Sequence, residues 1–351
     1  MISRAKFQIS KLKVIEQYTK INSLCDVVCY SVKSNPYLVD ILGQSTNSSF
    51  LIHHLNELKH FENINDFDYS NILYMLHSPE NEELNLIFEK NINKFIVDNI
   101  KDLDFILDYC KSNNHKIDLF LRMRLKEYTV QTGRYFVFGF YSSKVNELLL
   151  KLKDNLNINQ LGIHFHRKTQ NLAEWSLVRE LEQSINSKSW EIISSLDIGG
   201  GIPVEYKNTN PSTIDSVYEK IKELKEFVNS KNIKLICEPG RAIAAPSGKL
   251  IANIVNIVDN NLFIDASVFN CSMDTIVTNV KLLVEGESLE VNGNPYVIKG
   301  ATPASEDIFR YRVYFNKVPK IKDQIVFLNA GSYIYYTDLF NLERPKIEII
   351  K

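Results

Sequence analysis

The chain has 351 residues, 44% hydrophobic and 24% charged, enough for one large domain or two medium ones; this composition excludes disorder and collagen-like repetition. Lysine plus arginine number 41 against 42 aspartates and glutamates, so no overall positive excess marks nucleic acid or a membrane surface as partner, and a local basic patch stays open. The start, Met1 to Phe7, lacks the apolar stretch of a signal peptide, and no window approaches the roughly 18 apolar residues of a membrane span. Five scattered cysteines (Cys25, Cys29, Cys110, Cys237, Cys271), mostly in apolar runs, read as reduced thiols in a cytoplasmic core; Cys25 and Cys29 have no second pair to make a zinc site.

From Asp26 to about Gly240, short apolar runs alternate with longer amphipathic stretches, the rhythm of βα units. The predicted strands are Asp26 to Lys33, Ser49 to Leu55, Ile72 to Ser78, Lys94 to Asn99, Ile117 to Met123, Gln160 to Phe165, Ser195 to Gly200 and Ile233 to Gly240. Eight favour a (β/α)8 barrel over a doubly wound open sheet. Helices are expected over Leu38 to Leu42, after Asn35-Pro36, and over Glu82 to Lys90, after His77-Ser78-Pro79. Beyond Arg241, strand-like runs broken by turn residues (Lys249 to Val258, Leu289 to Val291 before Asn292-Gly293-Asn294-Pro295, Ile325 to Phe327) predict a separate antiparallel β domain. The fold class is therefore α/β plus β, with a barrel over residues 9–245, a C-terminal β domain over 246–351, and residues 1–8 open to packing with the latter. No flexible linker separates the two parts, and the end at Lys351 reads either as natural or as a cut in a longer polypeptide.

Chemistry in a barrel sits at the C-terminal strand ends, which directs attention to Lys33, His54, His77, Arg122, His166, Gly199 to Gly201 and Glu238 to Arg241. Lys33, ending an apolar strand, is expected to be partly desolvated and available as a Schiff-base amine; the alternative is a lysine that reaches out to solvent. Asp197-Ile-Gly-Gly-Gly201 is a turn where backbone N–H groups approach an anion such as phosphate, or simply a tight turn needing positive φ. Glu238-Pro-Gly-Arg241 adds a guanidinium for phosphate and a carboxylate able to keep a pyridine nitrogen protonated, unless the two pair with each other at the rim.

Tyr30-Ser-Val-Lys33-Ser-Asn-Pro, Gly162-Ile-His-Phe-His166, Asp197-Ile-Gly-Gly-Gly201, Glu238-Pro-Gly-Arg241 and Ala330-Gly-Ser-Tyr333 with Phe340-Asn341 resemble, in order, the motifs of the fold-type III pyridoxal-phosphate decarboxylases, which include the ornithine, arginine and diaminopimelate enzymes. The resemblance implies an alanine-racemase-like barrel with a C-terminal β domain, a head-to-tail homodimer with active sites at the interface, and pyridoxal 5′-phosphate as cofactor. It implies Lys33 as the amine carrying the cofactor, His166 as the imidazole stacked on its ring, and Glu238 as partner of the pyridine nitrogen. Gly200, Gly201, Arg241 and Tyr333 match phosphate-binding positions, Arg122 either an arginine near the cofactor or a structural salt-bridge residue, and Glu57 a glutamate that is structural rather than catalytic.

The match breaks in Gly300-Ala-Thr-Pro303-Ala304-Ser-Glu306-Asp307, where Pro303 replaces the family's cysteine and Ala304 its acid, while Asp307 matches a structural aspartate. After His166, Arg167 and Lys168 replace a small turn; they read either as charges for an anionic substrate or as solvated loop side chains. Asp274 is the remaining acid for a substrate amine, or a helix cap. These departures favour a bulkier substrate over plain ornithine, lysine or diaminopimelate. One such reading is the decarboxylase part of microcin C-type maturation proteins, in antibiotic biosynthesis. It implies conversion of a 3-amino-3-carboxypropyl group on a peptidyl nucleotide to aminopropyl. The alternatives are a basic amino-acid decarboxylase, an amino-acid racemase, and a non-catalytic regulatory homologue. No resident metal is expected.

Overall fold

The computed structural model describes residues 5–125, 138–288, 291, 294–334 and 336–351. The chain divides into two compact units. One holds Tyr18–Pro203 and Asp215–Gly240; the other holds the described residues up to Gln17, Val204–Ile214 and Arg241–Lys351. The first strand, β1 (Lys6–Ser10), lies in the latter unit. The next eight belong to the former: β2 (Val27–Ser31), β3 (Ser49–Ile52), β4 (Ile72–Met75), β5 (Lys94–Val97), β6 (Ile117–Arg122), β7 (Ile158–His164), β8 (Ser195–Asp197) and β9 (Lys234–Cys237). Each pairs in parallel with the next, and β2 pairs with β9 through Val27↔Ile236 and Val28↔Cys237, closing an eight-stranded barrel.

The barrel forms because its strands are short and apolar on both faces, one turned to the enclosing helices and the other to the interior. Cys29, Leu51, Leu73, Ile96, Phe120 and Ile236, from six different strands, make one buried cluster. Gly162 leaves room for it, since a Cβ there would meet the Phe120 ring at 2.5 Å. The expected helices are present as Leu38–Ser45 and Asn81–Glu89. All eight predicted strands appear in order, but most stop two or more residues earlier than the apolar runs do. Val32, Phe165 and Ile198 are buried although they lie beyond the strands, so hydrophobicity continues into the loops after the ladder has ended.

In the other unit, β10 (Gly248–Val258), β11 (Asn261–Ile264), β12 (Leu283–Val284), β13 (Tyr296–Lys299), β14 (Ile308–Val313), β15 (Gln324–Leu328) and β16 (Lys346–Ile350) join β1 in one sheet. The path β12-β15-β10-β11-β13-β14 carries β1 against β10, with β16 beyond it. The sheet is mostly antiparallel, with two exceptions to the expectation: β1 runs parallel to β16 and β11 parallel to β13. The first pairing joins opposite ends of the chain, which local patterning does not reveal. Of the segment predicted as a strand and turn, Leu289, Glu290, Asn292 and Gly293 lie outside the described residues. No helix among the described residues is long and apolar enough to cross a membrane.

Candidate active site

β2 ends at Ser31 and the chain turns through a short 3-10 segment, Val32–Ser34, so Lys33 stands beyond the strand. Closure of β2 against β9 brings this turn to the one carrying Glu238. Ser31 N donates to Pro239 O at 3.3 Å, and a Cβ on Gly240 would meet Ser34 Oγ at 1.9 Å, so a side chain at 240 would break the interlock. The expected desolvation of Lys33 is corrected: the residue is exposed, because the turn lifts it past the last buried strand position, and its Nζ lies 3.2 Å from His53 Nε2.

His53, not the neighbouring His54, faces the amine. Its backbone N–H donates to Glu57 Oε2 at 2.6 Å, and its Nδ1 stands 3.9 Å from the same oxygen. Burial, followed by the adjacent Lys33 ammonium, lowers its pKa from 6.5 to about 3, so the ring is neutral at neutral pH. His54 is exposed and caps the segment Leu55–Phe61, its Nδ1 accepting from Asn56 N at 3.1 Å. His77 is also exposed.

Register assembles a second group. His164 of β7 pairs with Asp197 of β8, Asp197 pairs with Ile236 of β9, and Glu238 follows two residues later on the same side. All three are buried, and one ligating atom from each lies within 4.8 Å of the others. Asp197 Oδ1 accepts from Gly199 N at 2.8 Å, and His164 Nε2 is 3.5 Å from Glu238 Oε2. Asp197 Oδ2 and Glu238 Oε1 have no hydrogen-bond partner. Two buried carboxylates this close do not both ionise at acceptable cost. Burial, and then the charge of Glu238, raises Asp197 well above the ordinary carboxylate range. Burial pushes Glu238 the same way, but the facing imidazoles, His164 first, outweigh it and hold Glu238 at about 2. The proton therefore sits on Asp197 and the charge on Glu238.

His166 follows β7, and its Nδ1 accepts from Gly200 N at 3.1 Å; burial lowers its pKa to about 3. The glycine triplet is demanded by close backbone approach. A Cβ would meet Phe165 O at 2.5 Å from Gly199, Glu238 O at 2.8 Å from Gly200, and Lys168 O at 2.7 Å from Gly201. Gly199 and Gly201 also have positive φ, so the turn fits glycine for two independent reasons. Arg122 ends β6, half-buried, with its guanidinium carbon 5.4 Å from the Phe138 ring centroid.

Arg167 is not a spare charge beside the site. It is buried and paired with the Glu180 carboxylate and the Glu174 carbonyl, because burying a guanidinium requires such acceptors. Lys168 is half-buried.

Within the other unit, Arg241 opens the helix Arg241–Ser247 that leads into β10. The loop after β15 presses against the start of β10 so closely that a Cβ on Gly248 would meet Gly331 Cα at 2.4 Å. That approach places Tyr333, whose ring centroid is 4.6 Å from the Arg241 guanidinium carbon. Arg241 also donates to Tyr206 Oη at 2.8 Å and grips both carboxylate oxygens of Asp274, Nη2 to Oδ1 at 3.1 Å. Asp274, expected to meet a substrate amine, is thus engaged by a guanidinium, and Thr278 Oγ1 donates to its Oδ1 at 2.9 Å. Asp307 holds its loop together, accepting from Val268 N, Thr302 N and Thr302 Oγ1, as expected of a structural aspartate. Pro303 is exposed. The sequence reading passed over three residues: His53, His164 and Asp197. The last two stand inside quoted motifs, where the pairing of adjacent strands was the available signal.

A lysine beyond the first barrel strand, a glycine turn and an anionic carboxylate after the last define a class, and comparison with known proteins agrees. The pyridoxal-binding domain of the pyridoxal-dependent decarboxylases matches residues 12–245, and the chain belongs to that family. It is 26% identical over 344 residues to the diaminopimelate decarboxylase of Aquifex aeolicus, covering 91% of this chain and 79% of that protein. With the Bacillus subtilis diaminopimelate decarboxylase it shares 23% identity over 193 residues, 49% of this chain and less than half, 44%, of that one. The crystal structure of Helicobacter pylori diaminopimelate decarboxylase complexed with L-lysine superimposes with a TM-score of 0.82 at 18% identity, covering 99% of this chain and 91% of that one, which shows the shared fold.

Proposed function

We propose that the protein is a pyridoxal-phosphate-dependent carboxy-lyase that removes the α-carboxylate of an amino acid of the diaminopimelate, lysine or ornithine class, or of an amino-acid end carried by a larger molecule. One observation carries the reading: buried, anionic Glu238 keeps its Oε1 without a partner, beside neutral histidines and an accessible Lys33 amine. The residues fit the cofactor. Lys33 would hold its aldehyde carbon, Glu238 Oε1 its pyridine nitrogen, His166 one face of its ring, and the turn at Gly201 its phosphate, with Arg122 as a further partner; the Gly200 N–H is given to His166 Nδ1, and Arg241 and Tyr333 belong to the other unit. The bound ring supplies an electron sink for the carbon–carboxylate bond.

Around it the protein's own groups set the charges. Glu238 would hold a proton at the pyridine nitrogen, which a neutral partner would not do; the imidazoles facing it, His164 first, keep Glu238 ionised; and the neutral His166 adds no positive charge to compete with that nitrogen. The finer reading, a 3-amino-3-carboxypropyl group on a peptidyl nucleotide, draws support from Pro303 and Ala304 in place of the usual cysteine and acid, and Lys168 is the cation left to meet its phosphate. Paired Arg167 lends it nothing. A homodimer in the cytoplasm completes the proposal, in keeping with five buried, free cysteines.

The test is a substrate panel scored for released carbon dioxide and for the matching mass loss: diaminopimelate, lysine, ornithine and an aminocarboxypropylated peptidyl nucleotide. Release from one supports the class and fixes the substrate. Solvent hydrogen exchange at Cα with the carboxylate retained would make the protein a racemase, and cofactor without turnover on any would make it a regulatory homologue.

A further inference from the structure

We propose that His53 is a catalytic residue that exchanges a proton with Lys33, within a carboxylate–imidazole–amine line made by Glu57, His53 and Lys33. The inference rests on the reading of Lys33 as the cofactor-bearing amine. The geometry orders the three groups. Lysine Nζ is a donor, so at 3.2 Å it makes His53 Nε2 the acceptor and leaves the ring hydrogen on Nδ1. That nitrogen has no hydrogen-bond partner and lies 3.9 Å from Glu57 Oε2, the oxygen that also takes the His53 backbone N–H at 2.6 Å. Glu57 therefore fixes the main chain at His53 and stands near the open side of the ring without bonding to it. The His53 side chain is 28% exposed, while its Nδ1 is buried against Glu57.

The electrostatics suit the task. Burial first, and then Lys33, Arg122 and His164, favour the neutral ring, against Glu238, which leaves a neutral imidazole whose Nε2 accepts from the ammonium and holds a transferred proton only transiently. The step balances. Lys33 as an ammonium gives one proton to His53 Nε2, leaving an amine and an imidazolium. The amine bonds to the aldehyde carbon of pyridoxal phosphate and one water leaves. When a second amine takes that carbon, the Lys33 nitrogen–carbon bond breaks, the two hydrogens of the incoming amine pass to the freed nitrogen, and one further proton returns through His53 Nε2 to make the ammonium.

Exchange is read directly by mixing holoenzyme with hydroxylamine, which takes the cofactor from Lys33, and following the loss of visible absorbance; no turnover of substrate is involved. We expect His53→Gln to keep the absorbance band and to slow its loss by about 100-fold, the scale of general acid–base assistance. His53→Ala should be slowed alike and restored by added imidazole in proportion to its concentration. A wild-type rate in both variants overturns the proposal. So does a slowed rate that imidazole leaves unrestored, because the histidine would then be structural. If wild-type protein shows no band, or Lys33→Ala keeps it, the reading of Lys33 fails instead, and this inference with it.

Discussion

The shared proton of Asp197 and Glu238 gives the sharpest quantitative prediction. With one oxygen of each carboxylate within 4.8 Å, two unit charges at an effective dielectric constant near 20 repel by about 3.5 kcal/mol. That energy corresponds to about 2.5 pH units in the midpoint of whichever group carries the proton. Glu238→Gln removes the charge while keeping the shape, so the Asp197 midpoint should fall by about that amount. Asp197→Asn keeps the acceptor for Gly199 N and supplies an N–H where the acid had its O–H, so it serves to identify the signal. The assay is the infrared carbonyl stretch of protonated carboxylic acids, or the carboxyl carbon shift of labelled aspartate, followed across pH. We expect one protonated aspartate at neutral pH that disappears in Asp197→Asn and titrates earlier in Glu238→Gln. Absence of that signal at neutral pH in the wild type, or a midpoint that Glu238→Gln leaves in place, would refute the assignment of the proton.

Two further perturbations follow from the same geometry. Gly201→Ala combines a φ of +89° with a Cβ 2.7 Å from Lys168 O, and should cost about 2–4 kcal/mol in chemical denaturation and weaken cofactor retention, whereas Gly286→Ala, with a positive φ but nothing within 4 Å, should cost only about 1 kcal/mol. His53 and His166 have folded pKa values lowered from 6.5 to about 3, so the stability they contribute is present above pH 6.5 and is lost as pH falls toward 3; the slope should approach about 1.4 kcal/mol per pH unit for each, and His53→Gln should remove one share, a constant slope in the variant being the contrary result.

Much of this architecture is legible in the amino-acid order, and the limits have physical causes. Eight apolar runs at βα spacing announce the barrel, and glycines at 199, 200, 201 and 240 mark close contacts visible as motifs, the first three with backbone and the last with the Ser34 side chain. Strand ends are less legible, since Val32 and Ile198 are as buried as the strands they follow. Charge partners escape local reading altogether. Arg167 finds Glu180 and Arg241 finds Asp274 through the fold, so residues that look like free charges in sequence are already satisfied. The choice between His53 and His54 is of the same kind: the two are adjacent, and the turn after β3 decides which faces Lys33 and which caps a helical segment. The β1–β16 pairing likewise depends on where the chain returns.

The central claim is a covalent bond between Lys33 and the pyridoxal aldehyde. Purified protein reduced with borohydride, digested and mapped by mass spectrometry should carry a pyridoxyl group on the peptide containing Lys33. A label confined to another lysine, or an unmodified Lys33 peptide in protein saturated with pyridoxal phosphate, would contradict the account.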